Sequence, residues 1–300
     1  MNTLKNKAPM IFFILLCLMI NGSIQAKEIL NAIHDKEKGT ISIYREGIHD
    51  PLITQNAKAD FRPYIHPIKS PDGKGELTQY SPGHHKHQTG LYWGFTRVNG
   101  RDYFHNPRGD YWKRKSVQIL QNDKGGIRWQ TEYLMLNKEG DPLITETQEW
   151  KIKISKDGAI IMDLNWQGLA HENITIAKYN YGGLFLRMPW KRGIKAEVIN
   201  SEGDINQKGE GKRAKWIDLG MEIKNLTSQG HIAIFDHPKN DEFPNMWRID
   251  GQFGVGPARA RSGTWKIEKG QTKSFLHRFI IYEGKHNNEA IMEEWNEWVE

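Results

Sequence analysis

The chain has 300 residues, 42 Lys and Arg against 36 Asp and Glu, and a formal net charge of +6. That excess is too mild for a nucleic-acid-binding tail, and one cysteine, Cys17, rules out a disulfide framework or a cysteine-ligated zinc. Eleven Trp, ten Tyr and eleven Phe are enough to build a large core and still leave rings on the surface, where aromatic faces stack on sugars and neighbouring cations meet carboxylates or sulfates.

In chain order, Lys5 and Lys7 precede an apolar run over 10–20, small and polar residues follow at 21–23, and Ala26 offers a cleavage point. This is the order of a secretory signal, and the run is too short for a spanning helix, which needs about 20 apolar residues. The pattern predicts an exported protein, in the periplasm or secreted, with residues 1–26 removed and 27–300 forming one domain without a membrane span. Cys17 leaves with the signal. Segments 40–44, 116–120, 127–136, 145–154, 159–166, 195–199, 222–226, 231–235, 263–267 and 273–282 are rich in Val, Ile, Thr and aromatics and predict strands. Gly- and Asn-rich turns separate them at 122–126, 137–142, 156–158 and 269–270. Residues 200–216 read as a long exposed loop, and 288–299 as the one helix. Many short strands at this spacing predict an all-β fold, a large antiparallel sandwich closed by a short C-terminal helix.

Three blocks fit neither strand nor turn. The first runs Arg62-Pro63-Tyr64-Ile65-His66-Pro67 and resumes at His84-His85-Lys86-His87-Gln88-Thr89-Gly90-Leu91-Tyr92-Trp93-Gly94. In extended chain His85 and His87 share a face, and neutral imidazoles there can hold a metal or exchange protons near neutral pH; the bland alternative is a solvated loop. The second runs Asp236-His237-Pro238 and then Phe243 to Arg248, a histidine at a strand end where structural roles are equally common. The third, Lys178-Tyr179-Asn180-Tyr181-Gly182-Gly183-Leu184-Phe185-Leu186-Arg187, alternates phenols and cations beside a glycine pair. No phosphate loop, nucleophile elbow or His-Glu-x-x-His helix is present.

Together with Ser70-Pro71-Asp72-Gly73 and Val98-Asn99-Gly100-Arg101-Asp102-Tyr103, these blocks resemble the PmoA-like family over about residues 60–280. The family run of His-Pro-His-His-Arg-Gly is incomplete here: His85 and His87 fill two positions, while Gln88 and Thr89 replace a His and an Arg. Although many members carry the label "methane oxygenase", a membrane oxygenase subunit needs several spanning helices. The resemblance instead implies a supersandwich fold of the galactose-mutarotase and polysaccharide-lyase kind, and an oligosaccharide dehydratase acting on ulvan-type, uronate-bearing sugars. Such an enzyme would take a proton from C5 of a non-reducing-end uronate and expel water from C4. On this reading His85, His87, His237, His66 and Tyr179 exchange protons. Arg62, Arg187 and Arg248 meet the anion, Tyr64 and Tyr181 donate hydrogen bonds, and Trp93 and Trp247 stack on sugar rings. No cofactor is required by the pattern, a divalent metal stays open, and the partner is an acidic oligosaccharide. A mutarotase or epimerase, or a non-catalytic carbohydrate-binding module, would use many of the same residues. All three blocks are expected to converge on one cleft.

Overall fold

The computed structural model describes residues 30–83 and 85–300. The predicted signal segment, Cys17 and His84 lie outside the described residues. Eighteen strands form between Leu30 and Gly284. The first five are β1 (Leu30–Asp35), β2 (Thr40–Arg45), β3 (Ile53–Asn56), β4 (Tyr64–Ile68) and β5 (Leu91–Gly94). A long meander follows: β6 (Trp112–Asp123), β7 (Gly126–Leu136), β8 (Pro142–Ile154) and β9 (Ile160–Ala170). Then come β10 (Ile174–Ile176), β11 (Gly183–Arg187), β12 (Ala196–Asn200), β13 (Trp216–Glu222) and β14 (Gln229–Asp236). The last four are β15 (Trp247–Ile249), β16 (Gly254–Pro257), β17 (Trp265–Ile267) and β18 (Thr272–Gly284), with a short helix α1 (Arg259–Ser262) and a terminal helix α2 (Asn288–Val299).

Two antiparallel eight-stranded sheets pack face to face. One runs β1-β2-β3-β4-β5-β11-β16-β15, the other β12-β13-β14-β18-β9-β8-β7-β6, and β10 pairs separately with β17. The expected all-β sandwich with a C-terminal helix is therefore observed. Because side chains alternate across a strand, each sheet sends one set inward: Ile41, Ile65, Leu91, Trp93 and Leu184 from the first sheet meet Trp129, Trp150, Trp166 and Phe279 from the second. The outward sets differ. On the second sheet Ile161, Trp216, Ala233, Phe235 and Ile280 are covered by Ile291 and Trp295 of α2. Asn287 caps that helix, its side chain accepting from the Ala290 N–H. On the first sheet Tyr64, Tyr92 and Phe185 point outward and pack with Phe104, Phe61 and Tyr181.

The expected strand over 222–226 is corrected: the strand is β13, ending at Glu222, and the chain then turns toward β14. The Val/Ile/Thr criterion also passed over β4, β5, β11, β15 and β16, which are short and carry His, Tyr, Trp, Arg, Gly and Pro. They are the strands of the first sheet that carry its outer aromatic face or flank it.

Candidate active site on the outer face of the first sheet

Strands β5 and β11 lie about ninety residues apart in sequence and pair antiparallel, with Gly183 opposite Gly94 and Phe185 opposite Tyr92. This register places the histidine block and the tyrosine block side by side. Tyr64 on β4 pairs with Tyr92 in turn, so Tyr64, Tyr92 and Phe185 line up across three strands as an aromatic floor. Aromatic contacts continue it: Tyr92 to Phe104 at 5.3 Å, Phe104 to Tyr181 at 5.0 Å, and Tyr181 to Tyr179 at 4.9 Å.

Above this floor sits a histidine cluster. The His87 and His105 rings are 4.4 Å apart, and His85 lies 5.9 Å from His87. His105 Nδ1 is 2.7 Å from Asp102 Oδ2, and its Nε2 is 3.4 Å from the Tyr181 hydroxyl. Asp102 is fixed by its own turn: its Oδ1 accepts from the Phe104 and His105 backbone N–H groups, the local bonding that aspartate favours in turns. Burial works to raise the Asp102 carboxyl, but the His105 ring and these two amides outweigh it and hold the pKa below the usual value. His87 is pushed the other way. Burial, helped by electrostatic opposition from His105, Arg62 and His85, lowers its pKa to about 3, so it stays neutral at physiological pH. His66, in the middle of β4, is lowered to about 4 by burial and bonds Thr78 Oγ1 through Nδ1. Tyr80, 43% exposed, packs on His66 and Tyr64 at the rim.

Several assignments made from the sequence change here. Arg62, expected on the substrate, is fully buried. It donates to the backbone carbonyls of Tyr103, Phe104 and His87 and stacks 3.7 Å over Tyr92. It is a strut that ties the His87 loop to the Asp102–His105 turn. Gly94 makes room for it, since a Cβ there would lie 3.0 Å from Arg62 Nη1 and 2.9 Å from the Tyr103 carbonyl. Trp93 and Trp247, expected to stack on sugars, are core residues: Trp93 points inward and stacks on Trp166 at 4.7 Å, and Trp247 is fully buried with its indole N–H donating to the Ala214 carbonyl. His237 follows the end of β14 in the other sheet, buried with its ring edge-on to Trp298 of α2 at 4.8 Å. The second block is thus split: its histidine goes with the second sheet, while Trp247 and Arg248, on β15, belong to the first. Arg248 lies 5.7 Å over the Tyr181 ring but is paired with Glu210, which also binds Arg261.

Arg187 stands at the C-terminal end of β11. It follows Phe185 on the outward side of β11, is 2% exposed, and donates through Nη2 to Gln252 at 3.1 Å, while Nε and Nη1 have no hydrogen-bond partner. Burial lowers its pKa, partly offset by Asp250 and Tyr92. A buried guanidinium with two unspent donors is costly unless an acceptor arrives. Sequence reasoning missed His105, Asp102 and Tyr80. The readable signal was the Asp102-x-x-His105 spacing, in which an aspartate turn brings its own side chain to the histidine three residues on. Among the described residues no three or more His, Cys, Asp or Glu side chains are grouped to hold a metal ion, and no helix is long and apolar enough to cross a membrane.

The chain matches a family described as "Family of unknown function (DUF6807)" over residues 44–296. No curated protein matches it. Among solved structures, a galactose 1-epimerase from Lactobacillus acidophilus aligns with a TM-score of 0.42 and 6% identity, covering 86% of this chain and 100% of its own. A GalM/aldose epimerase homologue from C. elegans gives 0.35 and 7%, again over 86% of this chain and 100% of its own. A galactose mutarotase related enzyme from Lactobacillus acidophilus gives 0.29 and 8% over the same shares.

Proposed function

The chain belongs to this family of unknown function, and we propose that it is an exported, carbohydrate-active enzyme that removes water from a uronic acid at the non-reducing end of an acidic, ulvan-type oligosaccharide. The observation that carries the reading is Arg187: a buried guanidinium, two N–H groups unpaired, on the same sheet face as the histidine cluster. A uronate carboxylate supplies two oxygens that accept from such a fork. The half-buried Tyr181 and the exposed Tyr80 ring, above the buried aromatic floor, give apolar faces for the sugar.

The chemistry follows from that pairing. The C5 proton of a uronate becomes acidic when its carboxylate is held by a cation, because charge developing on C5 and C6 is then stabilised in the transition state. An imidazole near the site takes the proton, the C5–H electron pair forms the C4=C5 bond, and the C4–O bond breaks with its oxygen leaving as water. Glycoside hydrolysis would need a facing pair of carboxylates, and here Asp102, beside the His87–His105 cluster, is committed to His105. The resemblance of the sequence blocks to PmoA-like oligosaccharide dehydratases supports the same reaction. The test is to incubate the protein with a uronate-terminated oligosaccharide and weigh the products. Loss of one water with new ultraviolet absorbance from the conjugated acid supports the proposal. Anomer exchange without mass change means a mutarotase, and binding without any change means a binding module.

A further inference from the structure

Resting on the elimination reading, we propose that His105 is the group that removes the C5 proton, that Asp102 is its positioning residue, and that Tyr181 delivers the proton to the departing oxygen. None of these roles belongs to His85 or His237. The geometry carries this. His105 Nδ1 donates to Asp102 Oδ2 at 2.7 Å, which leaves Nε2 as the acceptor. Nε2 faces the Tyr181 hydroxyl at 3.4 Å, a long contact that a substrate can open. Both members of the His105–Asp102 pair are reachable, with side chains 36% and 38% exposed. Among the described residues, His105 is flanked by the His87 ring at 4.4 Å and the Phe104 ring at 5.2 Å, with Arg62 behind His87 and with Tyr179 and Arg248 beyond Tyr181. A neutral His87 adds no second positive charge beside the imidazolium that forms, while Asp102 offsets that charge.

The step balances within these groups. The C5–H bond breaks and its proton goes to His105 Nε2. The bonding pair becomes the π bond between C4 and C5 as the C4–O bond breaks. The leaving oxygen keeps the C4–O pair, takes the Tyr181 phenolic proton and departs as water. The His105 imidazolium then returns its proton to the Tyr181 phenolate beside it, which restores the enzyme. Burial, with a hydrogen bond that Tyr181 donates to Tyr179, raises the Tyr181 pKa, so the phenol is protonated when substrate arrives.

The experiment compares the native protein with His105→Gln, Asp102→Asn and Tyr181→Phe on a uronate-terminated oligosaccharide, with thermal melts and nitrogen-resolved imidazole spectra of each. The inference predicts that His105→Gln and Tyr181→Phe each lower kcat by roughly a hundredfold or more at an unchanged melting temperature. Asp102→Asn should lower kcat at least about tenfold with little change in KM, move the acid limb of the pH profile to lower pH, and abolish the Nδ1–H tautomer seen for His105 in the native spectrum. Asp102→Glu should restore part of the rate. A native protein that converts substrate together with a His105→Gln variant of full turnover overturns the assignment and leaves the elimination reading standing. A native protein that converts no acidic sugar overturns both. A His105 that keeps its tautomer in Asp102→Asn removes Asp102 from its role.

Discussion

Two of the carboxylate–histidine pairs, Asp102–His105 on the outer face of the first sheet and Asp218–His231 on that of the second, differ in what surrounds them. In the second sheet Asp218 Oδ2 accepts from His231 at 2.9 Å, His286 at 2.8 Å and the Tyr282 hydroxyl at 2.7 Å. The Asp218 and His231 side chains are only 1% and 3% exposed, and His231 lies flat on Tyr282 at 4.6 Å. In the first sheet the Asp102–His105 pair is more than a third exposed, and the far nitrogen of its imidazole meets a tyrosine hydroxyl over an aromatic floor. The same hydrogen bond thus serves two ends. Enclosed by three donors, a carboxylate fastens the chain that leads into α2 to its sheet; with one side open, it orients an imidazole toward whatever binds. Accessibility, more than residue type, separates the structural pair from the chemical one.

The largest effect that sharpens this contrast is on stability. Asp218→Ala strands three buried or half-buried donors and should cost on the order of 3–5 kcal/mol, read as a lower denaturation midpoint, with turnover per folded molecule unchanged. Burial works to raise the Asp218 carboxyl, but its three side-chain donors hold the pKa below the usual value. Its contribution is therefore complete above the unfolded carboxylate pKa and is lost as pH falls through the lowered folded value, so a native–Asp218→Ala comparison should converge in strong acid.

Next comes Arg187→Met, which removes the buried guanidinium while roughly keeping volume. A charge-assisted hydrogen bond contributes about 1.5–3 kcal/mol, so KM or the dissociation constant for an acidic oligosaccharide should rise roughly 10- to 100-fold. Binding of a neutral oligosaccharide should stay the same. Equal losses for both sugars would detach Arg187 from the anion.

A smaller effect concerns the core between the faces. Burial pushes the Glu146 carboxyl up to about 7, although Trp166 and Gln148 donate to it. A raised folded pKa means stability that is present below the ordinary glutamate value and lost as pH rises through 7. Glu146→Gln, which imitates the protonated acid, should gain melting temperature relative to the native protein at pH 8 and little at pH 5. The smallest effect is His237→Gln. With its ring against Trp298, it should alter turnover by no more than about threefold and stability by about 1 kcal/mol.

Composition, turn chemistry and strand periodicity made the second sheet legible from sequence, because its long strands alternate cleanly: the 145–154 prediction overlaps β8, and 273–282 falls inside β18. The first sheet was legible only in part. Its central strands are four or five residues long and buried on both faces, so Arg187, Trp93 and His66 read as motif and not as strand. Blocks around Tyr64, His87 and Tyr181 were correctly suspected of meeting, but sequence cannot say which side of a strand faces out without its register. That is why Trp93 was placed on the sugar when its neighbour Tyr92 faces outward. Arg62 looked like a ligand for an anion because a buried arginine whose partners are main-chain carbonyls leaves no trace in composition. His105 was missed because its partner is local, three residues back, and the search was for clustered histidines.

The most direct test of the central claim is the turnover per folded molecule of His105→Gln and His231→Gln, measured side by side on a uronate-terminated oligosaccharide by the appearance of the dehydrated product. The account predicts that His105→Gln folds normally and has lost turnover, while His231→Gln is destabilised and turns over at the native rate once the unfolded fraction is discounted. Native turnover in His105→Gln, or a loss of chemistry in folded His231→Gln, would contradict it.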